Sequence, residues 1–342
     1  MTSGIAFVLL SVLILASIAP FLLRPLLLKL NVLDISNARS SHTGSAIRGV
    51  GLAPLLSIAV GLALLVAFGG TTSSALLVVI LAVALASGTL GWFEDLRGVP
   101  VMLRAGLQLT IGFTGASLVV LVSGGVWWTV PLYAIGLAGY INVANFMDGI
   151  NGMSGLHGVV AGALFSVLGG LLGMPWLVLA GLVVALSFSG FLPWNLIRGG
   201  MFLGDVGSYL LGGAIGIIGV AAIENGVPVL SVLGPLVIYL ADTGATLSRR
   251  ILRGERWFEA HRGHVYQRLT DSGMSHIQVS GIVAGASLIT GAVGILNVLF
   301  PELWLLWLLL IGGTAFSYLW LGAIFGKSVR RHSEILQKDR VA

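Results

Sequence analysis

Cysteine is absent from all 342 residues, which excludes disulfide staples, thiolate metal sites and a cysteine nucleophile. Charge is scarce too: Asp, Glu, Lys and Arg make up 9% of the chain against 57% hydrophobic residues, and mean hydropathy is +1.02. So few charged groups cannot clothe a water-soluble globule. The net charge of +5 fits membrane topology better than nucleic-acid binding, so no nucleic-acid partner is expected. What is missing most consistently is Lys and Arg from the long apolar runs. All 18 fall in five stretches: Arg24 to Arg48, Arg97 to Arg104, Arg198, Arg249 to Arg268, and Lys327 to Arg340. Lys and Arg are retained on the cytoplasmic side of a membrane, so the five stretches are expected on that one face.

A spanning helix needs about 20 apolar residues. Charge-free runs place spans near 4–23, 50–68, 74–93, 105–123, 128–145, 153–172, 176–192, 206–224, 229–247, 278–299 and 302–325. The first run has neither a basic leader nor a small-residue cleavage site and reads as a retained helix whose uncharged end lies outside. The expected fold is an all-α polytopic membrane protein of about eleven transmembrane helices, with N-terminus outside and C-terminus cytoplasmic. Residues 1–326 form a single transmembrane domain, and 327–342 a basic cytoplasmic tail. No tandem repeat and no soluble domain is visible.

The inner connections carry the polar chemistry. Glu94 and Asp95 end one span as adjacent carboxylates, either a cation-binding pair or a solvated helix end beside Arg97. Asn142 and Asn145, three residues apart, share a helix face and lead into Asp148-Gly149-Ile150-Asn151-Gly152. So many polar side chains between two apolar spans are costly unless they serve a site. Phe202-Leu203-Gly204-Asp205-Val206-Gly207-Ser208 precedes another span. Asp205 can serve there as a helix cap, or the glycines can open backbone N–H groups to an anion. The last inner loop gathers arginines with His261 and His264, a phosphate-binding set or a topology-setting basic loop. Asp242, inside a span, is a functional candidate or a partner for those arginines.

Taken together and in order, these stretches resemble the polyprenyl-phosphate N-acetylhexosamine-1-phosphate transferases. That membrane family includes O-antigen initiators and phospho-MurNAc-pentapeptide translocases. The likeness runs from about Arg39 to Leu269 and rests on five motifs. They are Arg39-Ser-Ser-His42 with Arg48-Gly-Val50-Gly-Leu52; Glu94-Asp95 with Arg104 and Gln108; Asn145-Phe-Met-Asp148-Gly149; Phe202-Leu-Gly-Asp205; and the run from Ala260 to Leu269, closest to the O-antigen branch. Glu94 stands where the family has a first Asp, Val50 interrupts a triple glycine, and Tyr266 replaces a second histidine.

The resemblance implies transfer of a HexNAc-1-phosphate, from GlcNAc or a 6-deoxy-HexNAc such as QuiNAc or FucNAc, out of a UDP-sugar onto undecaprenyl phosphate. UMP would leave in this first step of a cell-surface polysaccharide. It implies Mg²⁺, with Mn²⁺ as the alternative ion, on Asn145 and Asp205. Glu94, Asp95, Asp148, Asp205 and His264 would be the catalytic set. Substrate would meet Arg39, His42, Arg48, Arg104, Asn142, Asn151, Phe202, Gly204, Ser208, His261, Arg262 and Arg268. The expected setting is the inner (plasma) membrane, with the site on the cytoplasmic face, membrane lipids around it and a homodimer as the assembly to consider. Two other readings stay open: a secondary transporter, which would carry its polar groups near the midplane, and a catalytically inactive relative acting in assembly.

Overall fold

In the computed structural model the described residues are 2–35, 45–68, 74–196, 201–255 and 262–339. Arg39, His42, Arg198 and His261 lie outside them. The chain runs α1 (Thr2–Lys29), β1 (Leu33–Ile35), β2 (Ser45–Ile47), α2 (Leu52–Phe68), α3 (Ser74–Arg97), α4 (Val101–Ser123), α5 (Val130–Met147) and α6 (Met153–Leu171). It continues through α7 (Pro175–Leu196), α8 (Gly204–Glu224), α9 (Val229–Leu233), α10 (Val237–Leu252), α11 (Val265–Asp271), α12 (His276–Leu299) and α13 (Trp304–Asp339).

Every expected span finds its helix, because in lipid a backbone must satisfy its own N–H and C=O groups and the α-helix does so within one segment. Among the described residues ten helices are long and apolar enough to cross a membrane, and α2, with 17 residues, is a shorter apolar helix beside them. This is a multi-pass, all-α membrane protein. The ninth span departs from a single rod: Gly234-Pro235-Leu236 forms a 3₁₀ turn between α9 and α10. Pro235 has no N–H to continue a ladder, so the break falls there. The other departure is a small hairpin before α2. β1 and β2 pair antiparallel with Leu33 opposite Ile47 and Ile35 opposite Ser45. Beyond the end of α1, strand pairing satisfies main-chain groups that the helix no longer can.

α8 is the hub. Its spanning window is 94% buried, and it touches α2, α3, α4, α5, α6, α7 and α9. Without a hydrophobic drive between helices in lipid, such an axis needs close backbone approach. At Gly91 of α3 a Cβ would strike the carbonyl group of Asp205, so only glycine lets α3 lie against the start of α8. Large apolar side chains on α1 (Phe7, Phe21) and α13 (Leu309, Phe316, Trp320) are exposed, as faces turned to lipid would be.

Replacing Gly91 by Ala should therefore wedge α3 from α8 and destabilise the fold by about 1–3 kcal/mol, the usual cost of overpacking. Gly106→Ala on α4, where nothing lies within 4 Å of the added carbon, should be neutral or slightly stabilising. Thermal unfolding in detergent distinguishes them; equal midpoints would contradict the close-approach reading.

Candidate active site

The site is built on the start of α8. Two loop segments run side by side into it. Phe202 N–H donates to Ile47 O at 2.8 Å, Val50 N–H to Phe202 O at 3.1 Å, and Gly51 N–H to Leu203 O at 2.8 Å. Gly204 then turns the chain with φ +75°, a left-handed conformation that favours glycine. The first N–H groups of a helix have no intrahelical partner. Here Asp95, from the end of α3, supplies one: its Oδ1 accepts from Asp205 N and its Oδ2 from Val206 N, each at 2.9 Å. An acidic group at a helix N-terminus also meets the positive end of the helix dipole.

Around that cap the polar side chains converge. Arg48, just ahead of α2, places Nε 2.6 Å from Asp95 Oδ1 and Nη2 2.5 Å from Asp205 Oδ2. Asn145, near the end of α5, donates through Nδ2 to Asp205 Oδ1 at 2.6 Å and to Ser208 Oγ at 3.1 Å. Arg48, Asp95, Asn145, Asp205 and Ser208 thus form one bonded cluster drawn from four separate motifs. All lie at helix ends on one side of the bundle, whereas a transport site would sit at mid-span.

Glu94 and Arg104 stand beside the cluster. Glu94 points away from Asp95: Oε1 pairs with Arg104 Nη1 at 3.1 Å, and Oε2 accepts from Val99 N at 2.8 Å, closing the turn between α3 and α4. The longer glutamate arm serves that turn, so the two carboxylates do not act as one pair. Asn142 donates to buried Gln108 at 2.6 Å rather than to Asp205.

Asp148 follows α5 and is half-buried. Burial, then the charges of Asp205 and Asp95, raise its carboxyl to about 8 against the opposing pull of Ser154 and Arg48. The turn it begins is braced from below: Gly152 N–H donates to Asn195 Oδ1 at 2.5 Å, and Asn151 N–H faces His276 Nδ1 at 3.4 Å. Neither Asn195 nor His276 stands out in the sequence, since a single polar residue at a helix end carries no distinguishing pattern.

The far wall comes from the last inner loop. Tyr266 donates to Phe146 O at 3.1 Å and packs over Gly149 so closely that a Cβ there would strike its hydroxyl. Behind it, fully buried Asp242 accepts from Val265 N at 2.9 Å and from Tyr318 Oη at 2.7 Å, and lies 3.2 Å from His264 Nδ1. His264 is 2% exposed. Its Nδ1 is turned to Asp242, which fixes the orientation of the ring. Asp95 has its side chain fully buried in the helix cap, with both oxygens engaged by backbone N–H groups. Arg262 pairs with Asp271 at 2.6 Å, and Arg268 donates to Gly263 O at 2.7 Å, so these arginines knit the loop itself.

Among the described residues no three His, Asp or Glu side chains meet as a metal cage. The donor set at Asp205 is of another kind: one carboxylate and one hydroxyl, both bonded to the same amide. Mg²⁺ commonly takes one or two carboxylates and completes its shell with substrate phosphates and water, and that chemistry fits here.

The raised carboxyl of Asp148 has a consequence for stability. Between its ordinary value of 3.8 and about 8 the folded chain keeps a proton that the unfolded chain has lost. Its contribution is full below the lower value and disappears as pH rises through the upper one. In metal-free detergent solution Asp148→Asn should thus gain thermal midpoint over the parent as pH rises from about 5 to about 9. A constant gap across that range would contradict the assignment.

Known proteins resemble this chain in sequence. Residues 76–223 match the sequence profile of glycosyl transferase family 4. A probable undecaprenyl-phosphate N-acetylglucosaminyl 1-phosphate transferase of Bacillus subtilis is 29% identical over 153 residues, 44% of this chain and 43% of the relative. A decaprenyl-phosphate N-acetylglucosaminephosphotransferase of Mycobacterium leprae is 30% identical over 255 residues, covering 62% of each chain. A phospho-N-acetylmuramoyl-pentapeptide-transferase of Staphylococcus saprophyticus is 26% identical over 160 residues, 46% of this chain and 48% of the relative. The chain therefore spans between 43% and 62% of the length of these relatives. The matched stretch carries Glu94, Asp95, Asn145, Asp148 and Asp205, and over it the chain is similar to glycosyl transferase family 4.

Proposed function

We propose that this protein transfers a HexNAc-1-phosphate from a UDP-sugar to undecaprenyl phosphate, releasing UMP and leaving a lipid-linked diphosphate sugar. The observation that carries the reading is the cluster at the start of α8. Asp205 and Ser208 present oxygen atoms, joined by the Asn145 amide, beside the cationic Arg48, at the end of a membrane helix where a lipid phosphate and a soluble nucleotide can meet. The names of the relatives point to polyprenyl phosphate and an N-acetylhexosamine. GlcNAc and its 6-deoxy forms are the sugars we assign, with the site on the cytoplasmic face of the inner membrane.

Phosphoryl transfer between two anions asks the protein chiefly to hold charge and geometry. Asp205 and Ser208, with Asn145 once its amide is turned to offer the carbonyl oxygen, would hold Mg²⁺ or Mn²⁺. Bound there, the ion supplies charge neutralisation at the phosphate oxygens. Asp95 fixes where Asp205 stands, because both its oxygens are committed to the first N–H groups of α8. Arg48 offers a guanidinium fork matched to phosphate oxygens. Asp148, protonated at neutral pH by its surroundings, can donate a hydrogen bond to an incoming phosphate without adding negative charge. Tyr266 holds the Phe146–Gly149 backbone in place beneath it.

Membranes carrying the protein, given undecaprenyl phosphate, Mg²⁺ and a panel of UDP-HexNAc donors, should release UMP only when lipid and metal are both present. Asp205→Asn should lower that rate by roughly 100-fold or more, as loss of one group stabilising developing charge does. Undiminished UMP release from Asp205→Asn would remove the metal assignment, and no UMP with any donor from folded protein would favour the inactive-relative reading.

A further inference from the structure

Arg48 bridges the two carboxylates that frame the site, and the three members of this bridge differ in freedom. Asp95 is immobile, with its side chain 0% exposed and both oxygens held by backbone N–H groups. Asp205 is 15% exposed, with Oδ1 engaged by Asn145 and Oδ2 by Arg48. The Arg48 side chain is 35% exposed. Its backbone is fixed, with N–H donating to Val32 O at 3.0 Å, so any movement is a swing of the side chain alone. A divalent ion on Asp205 would have to share that carboxylate with a guanidinium at hydrogen-bonding distance, and like charges so close repel strongly in a partly buried site. A guanidinium, however, binds phosphate oxygens in the same forked geometry as carboxylate oxygens.

We infer that Arg48 is an internal cation that occupies Asp205 until a substrate phosphate draws it away, so that the divalent ion and the nucleotide bind cooperatively. Asp205 is never left without a positive partner: Arg48 compensates it in the free protein and the ion takes over as Arg48 turns to phosphate, while Asp95 keeps the two backbone N–H groups of α8. Removing one partner of a buried pair is strongly unfavourable, and this exchange avoids it. Linkage makes the effect reciprocal, so the factor by which nucleotide tightens metal equals the factor by which metal tightens nucleotide. The inference rests on the proposed reading of the site as one for a divalent ion and a phosphorylated nucleotide, and it adds an order to their binding.

The test is a titration of the detergent-solubilised full chain with Mn²⁺ followed by electron paramagnetic resonance, with and without saturating UMP and corrected for the Mn²⁺–UMP complex. The parent should bind Mn²⁺ weakly alone and at least about tenfold more tightly with UMP. Arg48→Gln should bind Mn²⁺ alone at least about tenfold more tightly than the parent and lose most of the dependence on UMP. Arg48→Lys, which keeps a cation at the position, should retain the parent's weak binding. Equal Mn²⁺ affinity in the parent with and without UMP overturns the inference and needs no variant. So does equal affinity of the parent and folded Arg48→Gln; if Asp205→Asn then binds no Mn²⁺, the metal site itself stands. Failure of every form to bind Mn²⁺, with or without UMP, overturns both the inference and the metal reading beneath it.

Discussion

The hydrogen bonds from the first turn of α8 to Asp95 are the contact on which the rest of the site depends. A helix starting at the edge of a membrane exposes N–H groups that neither lipid nor its own chain can satisfy. One carboxylate from the neighbouring helix meets two of them. That bond requires α3 and α8 to touch through their backbones, hence glycine at position 91. It requires a left-handed turn at Gly204 to aim the helix start. It also leaves a buried negative charge, which Arg48 compensates, and Arg48 in turn reaches Asp205. The functional cluster is thus an outgrowth of a structural need.

The same device recurs at the opposite wall. Asp242, inside the ninth span, caps α11 through Val265 N and ties it to Tyr318 of the last helix. This anchors the loop that lays Tyr266 over the Asn145–Gly149 turn. Two intramembrane carboxylates, each fully committed to a neighbouring element, therefore hold two parts of the site in place. Ionisable groups within spans are costly and so tend to mark functional machinery. In this protein both are engaged by neighbouring elements, beside Asp205, Asn145, Asp148 and Arg48.

Much of this was legible in the chain. The five Lys and Arg stretches outlined the spans, and the motif order brought Arg48, Asp95, Asn145 and Asp205 into one expected site before any contact was known. One reading did not carry over. Glu94 and Asp95 look like a pair in sequence, yet neighbouring residues on a helix point about 100° apart. One therefore turns to α8 and the other to the α3–α4 turn. The bond from His264 to Asp242 spans 22 residues, and no local pattern announces it.

Apolar run length and the placement of charge by themselves determined where the apolar helices fall and at which of their ends the polar residues gather, because both follow from the cost of exposing polar groups to lipid. Residue type at four motifs determined that oxygen ligands and guanidinium groups would be present. Only the tertiary structure decided which carboxylate is spent on a helix start and which remains open to a ligand. That choice depends on which backbone N–H groups lack a partner once the helices are packed, a property of the assembled bundle and of no single segment.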